Sequence, residues 1–99
     1  MIFISINIYL KEIEFTIYKM ENDIKKNIDE NKIVIPLALD IGERLKYIRK
    51  LIITIVNLYS VSCAYITTNE YLDNGIIDIL KMEGLLEESL SSCGVKICK

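Results

Sequence analysis

Apolar and polar residues alternate from the start of the chain. Ile2, Ile4, Ile6, Ile8 and Leu10 share one side of an extended backbone, and Ser5, Asn7 and Tyr9 share the other. This period of two predicts a half-buried strand. The phase then flips, with Ile13, Phe15 and Ile17 apolar and Glu12, Glu14 and Thr16 polar. Such a flip predicts a tight hairpin at Lys11 and Glu12, or a bulge. Met20, Ile24 and Ile28 follow at i, i+4 and i+8, which predicts a short amphipathic helix over residues 20–31. KIVIPL (32–37) reads as a short strand that ends at Pro36 or lies at an edge, since proline cannot donate to a ladder. Met20 also opens a polar segment, MENDIKKNIDENK, that resembles a natural start. Residues 1–19 are therefore expected to be an N-terminal β hairpin or a non-native extension, and residues 20–99 a single small helix-dominated domain.

The strongest helix-start signal is Asp40-Ile41-Gly42-Glu43, the D-x-x-E spacing of a capping box. Ile41, Leu45, Ile48, Ile52, Ile55 and Tyr59 follow at helical spacing. Beyond Leu51 the other faces become apolar as well, which places that half of the helix inside protein or lipid. From Ser60 three continuations are open: one long buried helix, a break near Ser60–Ser62, or a membrane span over residues 51–69. Further on, Thr68-Asn69 is an expected N-cap and Asn74-Gly75 an expected turn. A short helix from Ile76 should close at Gly84, LLEES is a last helical turn or a strand, and VKICK is a terminal strand.

Composition narrows this picture. A chain of 99 residues holds one domain and buries roughly 60–65% of its unfolded surface. Its 52% hydrophobic and 26% charged content excludes a disordered chain. Charge is unevenly spread. Arg44, Lys46, Arg49 and Lys50 outweigh Asp40 and Glu43 in residues 40–68, whereas Lys81 alone opposes six acids in residues 69–92. The basic cluster suits phosphate contact, or simply a solvated helix face. Residues 51–69 carry no charge and follow the basic cluster, the arrangement of a single span. Asn57 and several Ser and Thr residues interrupt that run, so a buried helix is favoured over a membrane helix. Three cysteines, an odd number, and no basic leader argue for a cytoplasmic protein with free thiols. Cys93 and Cys98, flanking Gly94, could close a short loop.

Little in the sequence points to catalysis. Histidine is absent, which removes the commonest general base and metal ligand. The cysteines lack zinc-site spacing, and no phosphate-binding glycine loop or nucleophile elbow is present. Glu87 and Glu88 are adjacent, so their side chains diverge. No enzyme, metal site or cofactor is expected.

IGERLKYIRK (41–50) is similar to the first helix of the lambda-repressor/Cro-type helix-turn-helix family, and VSCAYITTNE (61–70) to the turn and start of its recognition helix. The tail from Thr67 resembles the end of a winged-helix domain, with LLEES and VKICK as wing strands. These resemblances imply an α+β fold: an N-terminal strand or hairpin, then a helical helix-turn-helix-like region, then a small C-terminal hairpin. They imply a dimeric DNA-binding transcriptional regulator. Ser62, Cys63, Ala64, Thr67 and Thr68 would face the major groove of double-stranded DNA, and Arg44, Lys46 or Lys50 would touch phosphates. Val61, Tyr65 and Ile66 would pack inside. The competing expectation is a small acidic interaction or inhibitor protein, of the kind found in viruses and mobile elements, acting on a protein partner through residues 69–92. The third is the single-pass membrane protein.

Overall fold

The protein is described by a computed structural model covering residues 1–68 and 76–98. In chain order it has β1 (Ile2–Ile8), β2 (Glu12–Glu21), β3 (Ile24–Val34), α1 (Ile41–Tyr59), β4 (Cys63–Thr68), α2 (Ile76–Ser92) and β5 (Lys96–Cys98). The strands form one mixed sheet in the order β3-β2-β1-β4-β5. β1 is antiparallel to β2 and parallel to β4, and β4 is parallel to β5.

The alternating segments at the start make the centre of this sheet. Ile4 pairs with Ile17, Ile6 with Phe15 and Ile8 with Ile13, so one continuous apolar face spans β1 and β2. Both helices pack on it. α1 buries Ile48, Ile52 and Val56, and α2 buries Ile79, Met82, Leu86 and Leu90, all within the same core. The opposite face carries Phe3, Ser5 and Asn7 of β1 and no described helix.

Residues 20–31 are not a helix. Asn22 and Asp23 adopt φ of 51° and 64°, and Glu21 pairs with Ile24 across them. Two consecutive left-handed residues make the two-residue hairpin turn that matches strand twist, and short Asn and Asp side chains tolerate it. Met20, Ile24 and Ile28, the supposed apolar face, are 41%, 68% and 43% exposed. Their spacing was coincidental, and cross-strand pairing with β2 decided the structure.

α1 begins as the capping pattern indicates. Asp40 Oδ1 accepts from the Glu43 amide at 2.9 Å. The Glu43 carboxylate meets Lys46 Nζ at 3.4 Å. The helix stops at Ser60, whose φ of 54° and ψ of 50° form a left-handed cap. This stop divides the uncharged run: residues 51–59 complete α1 and residues 63–68 form β4. No helix among the described residues is long and apolar enough to cross a membrane.

The helix-turn-helix expectation fails at the same place. The proposed recognition helix is β4, a strand whose β-branched and aromatic residues pair with β1 on one side and β5 on the other. Alternation puts Cys63, Tyr65 and Thr67 on the open face and Ala64, Ile66 and Thr68 toward the helices. No helical surface presents Ser62 through Thr68 together. The winged-helix tail is also absent, because LLEES lies inside α2 and Lys96–Cys98 pairs in parallel with β4. The expected cap at Thr68-Asn69 and turn at Asn74-Gly75 involve residues 69–75, which lie outside the described residues. Gly94, at φ 80°, makes the turn after α2. Cys63, Cys93 and Cys98 are all free thiols.

Candidate nucleic-acid interface

Chain direction creates one chemically distinct edge. β1, β4 and β5 are parallel, so their carboxyl ends lie together. β3 ends beside the start of β2, with Val34 opposite Glu12, and the Ile35 amide donates to the Lys11 carbonyl at 3.0 Å. The chain then enters α1 at this same edge. α2 starts here too: Arg44 in the first turn of α1 approaches Asp78 in the first turn of α2 at 3.8 Å. Two helix amino ends therefore flank the carboxyl ends of the parallel strands, and their amide dipoles favour negative charge there. β1 is also a switch point. Its direct connection leads to β2 on one side, while the crossover through α1 returns on the other. Open α/β sheets bind ligands at such a point.

On the open face, the row nearest this edge is polar across four strands. Asn7 pairs with Glu14 and with Thr67, and Glu14 pairs with Lys32. The row thus runs Lys32, Glu14, Asn7, Thr67 from β3 to β4. Asn7, Glu14, Thr16, Glu30 and Lys32 border a shallow hollow at one end of it. Further from the edge the same face becomes aromatic. Phe3 stacks on Tyr18 with centroids 5.3 Å apart, and on Tyr65 at 6.3 Å.

The residues expected to contact DNA divide between the two ends of the fold. Thr67 and Thr68 lie at the carboxyl edge, beside Asn7 and Ile8. Arg44 and Lys46 lie in the first turns of α1, near the same edge. Lys50 is exposed farther along α1. Ser62 and Cys63 lie at the opposite end, where the Ser62 amide donates to the Ile2 carbonyl at 2.8 Å. Burial, and next the neighbouring Cys98 thiol, push the Cys63 pKa up, so it stays a neutral thiol at neutral pH. Arg44 has a structural task. Its Nε donates to the Leu39 carbonyl at 2.7 Å and a terminal nitrogen donates to Leu37 at 2.9 Å. It thereby holds the loop that leads into α1.

Asn7 and Glu14 were missed. Each sat inside an alternating strand as an ordinary polar position. Only the register that aligns them with Thr67 and Lys32 reveals a row. Within the described part of the acidic 69–92 segment, Asp78 faces Arg44 and Glu88 receives Arg49 at 3.0 Å.

No protein-family model and no curated protein matches the sequence. Solved structures match the fold. Thermus thermophilus RuvC in complex with a Holliday junction substrate aligns with a TM-score of 0.84 and 9% identity, over 98% of this chain and 63% of that one. Fowlpox virus resolvase, in complex with substrate Holliday junction DNA, aligns at 0.65 and 14% identity, over 99% and 58%. An Aquifex aeolicus member of the Ppx/GppA family aligns at 0.62 and 17% identity, over 98% and 34%. This chain spans less than two thirds of each of these proteins. The likeness overturns the helix-turn-helix assignment and the transcriptional regulator that followed from it, and it lends no support to an acidic inhibitor. It also overturns the exclusion of an enzyme, because the resolvases and an exopolyphosphatase of the same fold are enzymes. With a five-stranded mixed sheet and two helices on one face among the described residues, this chain has an RNase H-like fold.

Proposed function

We propose that this chain is a resolvase-type domain of a nuclease, which seats branched DNA against the carboxyl edge of β1 and β4. The observation that carries this reading is the alignment of 98% of the chain on RuvC bound to a Holliday junction. The edge itself supports it. Helix amino ends, the Asn7 amide, the Thr67 and Thr68 hydroxyls and the Lys46 ammonium are all groups that donate to phosphate oxygens. Contacts of this kind position a duplex and carry little sequence information. That suits a protein selecting DNA by its branched shape rather than by its bases.

Metal-assisted phosphodiester hydrolysis needs convergent carboxylates. Among the described residues no group of three His, Cys, Asp or Glu side chains could hold a metal ion. At the middle of the edge stands Asn7, an amide. The described residues by themselves do not fit a metal centre, and their part is to bind DNA. Incubating a labelled four-way junction and a linear duplex with the protein, with and without Mg²⁺ or Mn²⁺, tests both halves. Preferential retention of the junction supports the binding role. Equal, weak retention of both would remove it. Paired strand cuts near the branch would place the chemistry in this chain.

A further inference from the structure

β3 is the edge strand of the sheet and, at eleven residues, its longest strand. Edge strands are usually blunted, because unpaired amides and carbonyls invite another strand. This one has a charge order with an internal symmetry. Lys25 and Lys26 precede the point between Asn27 and Ile28, and Asp29 and Glu30 follow at the same distances from it. In an antiparallel pairing of two copies about that point, Lys25 would oppose Glu30 of the second copy and Lys26 would oppose Asp29, each twice.

Side-chain faces decide whether such a pairing can form. A two-fold axis perpendicular to a sheet leaves each side chain on its own face, and directly opposed residues must share a face. In a regularly alternating strand, Lys25 and Glu30 would point to opposite faces, so this register would be forbidden. β3 is not regular. Its pairing shifts between Ile17 and Tyr18, so that Asp29 opposes Ile17, Asn27 opposes Tyr18, and Ile28 is the extra residue. The shift exchanges the faces on one side of Ile28. Glu30 opposes Thr16 and Lys25 opposes Met20, both on the open face. Asp29 opposes Ile17 and Lys26 opposes Lys19, both on the helix face. Side-chain contacts agree: Lys25 Nζ lies 4.4 Å over the Tyr18 ring on the open face, and Asp29 accepts from Tyr59 of α1 at 2.6 Å on the helix face. The bulge thus makes the charge-matched register compatible with both faces.

We propose that β3 is a self-association edge, where a second copy of this chain adds its own β3 antiparallel about a two-fold axis between Asn27 and Ile28. The sheets then join into one of ten strands. The seam covers Ile24 and Ile28, which the isolated chain leaves exposed. On the helix side the seam runs along the groove that Asp29, Asn31, Leu51 and Ile55 help to line.

Sedimentation equilibrium of the full chain, with two exposed charge reversals, tests this. Lys25→Glu places Glu against Glu30 at both symmetric contacts, and Glu30→Lys places Lys against Lys25 at both. Each variant alone should weaken dimerisation by about tenfold or more. An equimolar mixture restores matched pairs at both contacts and should form a heterodimer near wild-type affinity. Circular dichroism should show both variants folded. A wild-type chain that stays monomeric at ~100 μM overturns the proposal. So does a dimer indifferent to both reversals, or a mixture no tighter than either variant alone.

Discussion

Asn7 of β1 and Thr67 of β4 are register partners in two parallel strands, on the open face and one residue from the carboxyl end of each. Glu14 of β2 stands on the other side of Asn7. A carboxylate in place of the Asn7 amide would add negative charge next to Glu14, where phosphate is expected. Asn7→Asp should therefore weaken binding of a four-way junction in EDTA by about tenfold, about 1.4 kcal/mol, the size of a hydrogen bond replaced by repulsion. Fluorescence anisotropy at ~50 mM salt measures it. The affinity of both proteins should fall steeply as salt rises.

Arg44 separates a structural role from a DNA contact. It bonds two loop carbonyls and approaches Asp78 with its side chain only 20% exposed. Arg44→Ala should cost about 1–3 kcal/mol of stability in urea denaturation. Arg44→Lys should recover little, since an ammonium cannot span both carbonyls as the guanidinium does. Lys46→Ala and Lys50→Ala should leave the denaturation midpoint within error. Lys46→Ala should weaken junction binding more than Lys50→Ala, because Lys46 lies nearer the carboxyl edge.

Ser60 holds a left-handed backbone at the end of α1. Glycine adopts that conformation without a side-chain penalty, and a β-branched residue resists it. Ser60→Gly should be neutral or stabilising by up to about 1 kcal/mol. Ser60→Val should destabilise by about 1–2 kcal/mol. Equal midpoints for the two variants in thermal melts would contradict the cap assignment.

The pKa of Tyr59 is raised above the ordinary 10.0, first by its hydrogen bond to Asp29 and then by burial. The folded state therefore favours the neutral phenol. Its contribution to stability is fully present below pH 10 and is lost as pH rises through the higher folded value. Wild type should lose stability above pH 10 more steeply than Tyr59→Phe, with the curves parallel between pH 6 and 9. Urea midpoints across pH 6–11 show whether the two separate.

What could be read from the sequence was whatever depended on near neighbours. Alternation at Ile2–Leu10 and Ile13–Ile17 marks β1 and β2, and the Asp40–Glu43 spacing marks the start of α1. The end of α1 was obscured because residues 53–65 carry no charge and mix apolar with small polar residues on every face, and such a run suits a buried helix and a buried strand equally. Only parallel pairing of Cys63–Thr68 with Phe3–Ile8, sixty residues distant, resolves it. Non-local pairing of that kind has no local periodicity to reveal it. The Met20, Ile24 and Ile28 spacing misled for a related reason, since the turn at Asn22-Asp23 lacks the glycine that usually marks such a hairpin. Of the expected DNA-contacting residues, Arg44, Lys46, Thr67 and Thr68 lie near one edge. Asn7 and Glu14 belong to that edge through register alone.

The carboxyl edge of β1 and β4 is proposed to receive branched DNA. Anisotropy titration of an immobile four-way junction and a duplex of the same arms, against wild type and Asn7→Asp/Thr67→Asp, tests it most directly. Wild type should bind the junction more tightly than the duplex, and the doubly substituted protein should lose that preference with its fold intact. A wild type that binds neither DNA at ~50 mM salt, or a substituted protein that binds the junction as tightly as wild type, would contradict it.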